Sequence, residues 1–195
     1  MSTGDLEEAI RILEDELNLG SGFLIKLWRE PDAWSFAIKA HALLESALSD
    51  LLRKYLLHKK LETPVAALPL NGKAGKVAFL RALGLITAEE ENFLNEFSSL
   101  RNTLVHNVHN VRFDFQTFLA TDPQKAKRLG AAAAGVGATG AVKQKYEKNF
   151  LSNPQLSIWW AVLFVTSKAQ SALLKSSTAR KRLQDRVKKL HGLTN

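Results

Sequence analysis

A chain of 195 residues, 46% of them apolar, is long enough to bury a sizeable core and fits one domain with room for an appended segment. The absence of cysteine excludes disulfides and thiolate metal sites and favours an intracellular protein. A formal net charge of +8 points to phosphate-bearing partners.

The opening MSTGDLEEAI is acidic and has no apolar stretch, unlike a signal peptide. Asp5 and Glu8 make a capping pair for a first helix to about Asn18, with Leu6, Ile10, Leu13 and Leu17 on one face. Gly20 and Gly22 end it. Residues 1–20 hold six acids against Arg11, an acidic block suited to basic surface of this chain or of a second copy. Pro31 and Asp32 then open a long helix over 33–58, whose Ala40, Leu44, Leu48, Leu51 and Tyr55 keep a helical period. Pro64, Pro69, Asn71 and Gly72 mark a loop, and a third helix is expected over 73–82 with Gly84 near its end. Thr87 with Glu90 forms a capping box, and Glu89, Glu90 and Glu91 suit the positive end of a helix dipole. That helix carries Phe93, Phe97, Leu100 and Leu104 on one face.

The segment 125–145 is basic and rich in alanine and glycine. Gly130, Gly135, Gly137 and Gly140 oppose the helix preference of its alanines, which predicts a partly ordered loop inserted between core helices. Its GVGATG string fits the dinucleotide pattern, but that fingerprint needs a preceding strand, and none is in sight. No cofactor is expected from it. Asn153 as cap and Pro154 in the first turn start a last long helix that runs past Leu174. On it Trp160 and Phe164, one turn apart, read as core, while Trp159 stays open between core and a base-stacking surface. Residues 168–195 hold eight Lys/Arg against Asp185, and 123–149 hold six against Glu147. Such blocks suit a phosphate backbone, or serve as a solubilising tail.

The longest apolar run, 158–165, is far shorter than the ~20 residues needed to cross a bilayer, and no strand alternation is visible. The expectation is an all-α, up-and-down bundle of four main helices in one domain over 1–195, in the cytoplasm. Its core spans about 33–175, with a short helix before it, the insertion at 125–145, and a basic tail at 176–195.

The polar constellation lies in Arg101-Asn102-Thr103-Leu104-Val105-His106, at the end of the capped helix. At about 100° per residue, Asn102 and His106 lie opposite the phenylalanine face and Arg101 on its flank. Arginine presents a planar fork that fits a phosphate, and histidine moves protons near neutral pH. Arg101 and His106 point about 140° apart on one helix, so a single copy makes a poor clamp. His41 and Glu45, one turn apart on the long helix, read as a half-buried pair closing the edge of the core. His106 and His109 are three apart, but no carboxylate stands at a matching step before Asp114, so no metal is expected.

Arg101, a polar residue, and His106 five positions on resemble the R-x4-H motif of the HEPN (higher eukaryotes and prokaryotes nucleotide-binding) superfamily. The flanks add to the likeness: GKVAFLRALGLIT over 75–87, the acid-started helix, LRNTLVHN, and NVHNVRFDF over 107–115. That order, covering about 33–115, is similar to the branch that includes mannitol operon regulators. The resemblance implies a homodimer in which two motifs share one cleft. In it His106 would take a proton from a ribose 2′-hydroxyl, Arg101 would meet the phosphate, and Asn102 would orient one or the other. Glu45, beside His41, would support the motif, while Arg112 and Lys76 would extend the positive field. The activity implied is a metal-independent endoribonuclease of toxin or defence type, with an antitoxin as possible partner. The alternative is a non-catalytic regulator or protein-interaction module that keeps the bundle without the reaction.

Overall fold

The structure, a computed structural model, describes residues 3–56, 59–106 and 108–192, with backbone alone after Leu173. Among these residues it is all helix: α1 (Thr3–Glu16), α2 (Phe23–Trp28), α3 (Ala33–Leu56), α4 (Glu62–Ala67), α5 (Lys76–Ala82), α6 (Ala88–Val105), α7 (Phe115–Thr121), α8 (Pro123–Gly135), α9 (Gly140–Ser152) and α10 (Pro154–Gly192). Tighter 3-10 turns span Lys59–Leu61 and Val108–Arg112. The expected end of the long helix at 57–58 lies outside the described residues, as do the side chains of the 176–195 tail.

Several helix starts follow local side-chain chemistry. Asp32 Oδ2 accepts from Ser35 N at 2.9 Å, and Asn153 Oδ1 accepts from Leu156 N at 3.0 Å. Thr87 and Glu90 close the anticipated capping box at 3.3 and 2.8 Å. Glu90 is itself buried, and both its oxygens accept from Lys168 Nζ at 2.7 Å, which ties the start of α6 to α10. The starts of α2, α4, α5 and α9 carry no side-chain cap at their own N-cap residue, and α2 is capped from a distance. The buried Glu14 of α1 reaches eight and ten residues on, where its oxygens accept from Gly22 N and Leu24 N at 2.7 Å and cap α2.

Cross-links fix the direction of each helix. Trp34 and His41 of α3 bond to Leu104 and Ser98 of α6, so these two run antiparallel. Lys125 and Arg128 of α8 meet Thr103 and Glu96 of α6, which makes α8 antiparallel to α6 in turn. Helix α9 returns along α8, and α10 starts beside α2, where Gln155 Nε2 donates to the carbonyls of Trp28 (2.7 Å) and Glu30 (2.9 Å). The chain therefore alternates through α3, α6, α8, α9 and α10, and α10 packs most extensively on α3.

That topology corrects the reading of 125–145. The segment is no loop: it supplies most of α8, the α8–α9 turn and the start of α9, and Ala126, Leu129, Ala132, Ala133, Ala134, Val136 and Ala138 are buried. Small side chains let α8 sit close to its neighbours. A Cβ on Gly130 would stand 2.8 Å from the Phe150 ring, so glycine there admits Phe150 into the core. Gly137, at φ 69°, makes the turn into α9 beneath the Phe164 ring. The expected third helix, α5, is short by contrast.

Helix α10 also turns differently from expectation. Trp159 is 2% exposed and donates its indole N–H to Leu24 O at 2.8 Å, whereas Trp160 and Phe164 are 43% and 44% exposed. The run 158–165 is apolar on every side, so its pattern does not fix which stripe faces inward. Tyr55, placed in the α3 stripe, is exposed at that helix's last turn. The α6 face of Phe93, Phe97, Leu100 and Leu104 is buried as read, with the two phenylalanine rings stacked 5.7 Å apart. No helix among the described residues is long and apolar enough to cross a membrane.

Candidate functional site

The last turn of α6 is held from two sides. Trp34 Nε1 donates to Leu104 O at 3.3 Å, and Asn110 Nδ2 donates to Thr103 O at 2.7 Å, so two of the carbonyls that every helix end leaves open are satisfied by side chains. His106 forms the C-cap: its N–H bonds Asn102 O at 3.2 Å, and its side chain is exposed where the chain leaves the helix. Arg101 and Asn102 are half-buried, and Arg101 Nη1 donates to Asn102 Oδ1 at 3.2 Å. The bond joins one guanidinium nitrogen to the amide oxygen of the neighbouring side chain.

Behind this pair lies a buried polar chain on the α3–α6 seam. His41, 5% exposed, shares a hydrogen bond between Nε2 and Ser98 Oγ at 3.1 Å, and its Nδ1 lies 4.0 Å from Glu45 Oε2. Burial, and then the positive charge of Arg101, push the His41 pKa down to about 4, with Glu45 opposing them in part. His41 is therefore neutral at pH 7, and Arg101 lies close enough to act on it. Glu45, half open to solvent, also takes Lys76 Nζ at 3.4 Å, and the same ammonium donates to Ala66 O at 3.2 Å.

Arg101, bonded to Asn102, thus lies near enough to His41 to act on its charge, His41 in turn meets Ser98 and Glu45, and His106 stands at the helix end. Lys76 was expected to extend a surface field; it is 2% exposed and neutralised by Glu45. Its aliphatic stem packs inward from a short helix too weakly patterned to show which way its lysine turns. Arg112 is exposed at the end of the 3-10 turn and lines a separate groove with Thr103, His109 and Lys125. Ser98, Trp34, Asn110 and Lys125 were not singled out from sequence. Ser98 did carry a signal, as a hydroxyl on the apolar face of α6 that needs a partner once buried; the other three acquire roles only through tertiary contact. Among the described residues no group of three or more His, Asp or Glu side chains converges to hold a metal.

Comparison with family models, with curated proteins and with solved structures finds no match to this chain.

Proposed function

We propose that the protein binds RNA at the C-terminal end of α6 and cleaves it without a metal, as a HEPN-type endoribonuclease acting as a homodimer in the cytoplasm. The observation that carries this reading is the exposed His106 imidazole at the α6 C-cap, one turn beyond the Arg101–Asn102 pair, on a chain of net charge +8. His106 takes the proton of a ribose 2′-hydroxyl, and that oxygen attacks the neighbouring phosphorus. The 5′-oxygen leaves and is protonated by imidazolium or water, and a 2′,3′-cyclic phosphate remains. Arg101 offsets the charge that builds on the phosphoryl oxygens, and Asn102 accepts a bond from its fork. A second copy brings a further Arg101 to face His106, which resolves their divergence on one helix. In this reading an antitoxin-like protein would restrain the activity.

Incubating purified protein with RNA in EDTA tests the proposal. Cleavage should occur with wild type and disappear in both His106→Ala and Arg101→Ala. A wild type that leaves every RNA intact overturns it.

A second reading, a non-catalytic regulator or interaction module, is favoured by the withdrawal of Lys76 and the half-burial of Arg101, both of which reduce the charge offered to a substrate. It requires that His106→Ala keep full binding while deletion of 176–195 removes it.

A further inference from the structure

A groove of about 360 Å3 lies beside the last two turns of α6, next to the segment that carries His106. It opens because the chain leaves α6 through the 3-10 turn Val108–Arg112 and comes back only at α7, leaving a gap between the two helices and the start of α8. Leu100 and Leu104 form its floor together with Phe118. Phe113 stands half-buried at one side, edge-on to Phe115 at 5.1 Å and 5.9 Å from Phe118. Its walls are tied in place: Asn110 Nδ2 bonds Thr103 O, and Lys125 Nζ donates to Thr103 Oγ1 at 3.0 Å. A groove held in this way needs little rearrangement to accept a ligand.

The polar groups around it have distinct functions. Asp114 and Asp122 are helix caps, the first accepting from Thr117 N and Oγ1 at 2.8 and 2.5 Å, the second from Lys125 N at 3.1 Å. Bonding to Thr117 holds the Asp114 carboxyl below its usual range. The cations at the groove are the exposed Arg112 and the half-buried Lys125, so the acids and bases balance and no strong net field selects the ligand. An apolar floor with an aromatic side wall suits a flat ring, and the Thr103 and Thr121 hydroxyl oxygens, whose protons go to Ser99 O and Thr117 O, offer acceptor positions at its edge. The volume is at the small end of ligand sites, which run from about 300 to 1,000 Å3, and matches one nucleotide rather than a large cofactor.

We propose that this groove holds a nucleobase of single-stranded RNA whose backbone crosses the end of α6, with Arg112 and Lys125 meeting the flanking phosphate. The groove would then choose which base stands next to the phosphate presented to His106. This rests on the RNA reading of the α6 terminus but not on catalysis.

The test uses the full chain with two uncleavable probes, a 2′-O-methyl tetranucleotide and the same backbone without bases. Wild type should bind the base-bearing strand about tenfold more tightly. Thr121→Phe, which fills the groove from an exposed position, should remove most of that preference, while Arg112→Ala, which loses a phosphate contact common to both strands, should weaken both alike. Amide signals of Thr103, Thr117 and Thr121 in wild type should shift with the base-bearing strand only, a readout that stands even if Thr121→Phe fails to fold. Equal binding of the two strands, or shifts confined to other residues, overturns the groove while leaving cleavage by His106 intact. Base-dependent shifts here, in a protein whose RNA cleavage survives loss of Arg101 and His106, uphold the groove and overturn the nuclease reading. Failure of wild type to bind either strand overturns both.

Discussion

His41 shows how one buried side chain links the α3–α6 seam to pH. Its pKa in the folded protein is about 4, against 6.5 for an ordinary histidine, so between these values the unfolded chain binds the extra proton. The contribution to stability is complete above pH 6.5 and is lost as pH falls toward 4, by about 3 kcal/mol at most. Urea unfolding should therefore shift to lower midpoints as pH drops from 7 to 4.5, and His41→Gln should flatten that dependence. Ser98→Ala leaves the buried imidazole without its hydrogen-bond partner and should cost about 1–3 kcal/mol at pH 7, read from the same denaturation curves. Because Arg101 contributes to the His41 shift, Arg101→Ala should raise the pKa of His41 measured by NMR. An unchanged value would mean that the two groups do not interact.

Helices α6 and α8 each pack against several neighbours in the bundle. Thr87 caps α6, so Thr87→Ala should lower stability by about 1 kcal/mol without touching the motif end. The α8–α9 hairpin depends on the close approach of Phe150 to Gly130. A methyl group there would force a well-packed ring to move, and Gly130→Ala should cost about 1–3 kcal/mol despite the better helix propensity of alanine. A melting temperature that rises in this variant would contradict the packing of α9 onto α8. Alanine and glycine are weak sequence signals because they mark either a tight helix contact or an irregular loop, and only the neighbour across the contact distinguishes the two.

For the whole molecule, charge is the main handle. On the proposed RNA reading, a chain of net charge +8 should bind its strand more weakly as salt rises. Contacts from Arg101, Arg112 and Lys125 would give a slope of log affinity against log salt of about −2 for a single strand. Arg112→Ala should reduce that slope by about 0.7, while Lys76→Ala should leave it unchanged because its ammonium is already neutralised inside. A Lys76 variant that alters the salt slope would refute that neutralisation. Loss of fold in the same variant would be visible by circular dichroism.

What the sequence determined by itself was the all-helical class, the start of α3, α6 and α10, and the buried stripe of α6. Each of these is set by local physics, namely caps, dipoles and a 3.6-residue period, which need no partner to be read. That Arg101, Asn102 and His106 stand at the end of α6 was legible for the same reason. Tertiary structure decided the rest. Whether 125–145 folds depended on Phe150 meeting Gly130, the facing of α10 depended on Trp159 finding Leu24 O, and the capping of α2 depended on Glu14 bending back across a loop. Lys76 turned inward because Glu45 and Ala66 O wait there. Each of these is settled by a residue distant in sequence or by a free choice of helix face, and pattern along a chain carries no information about either.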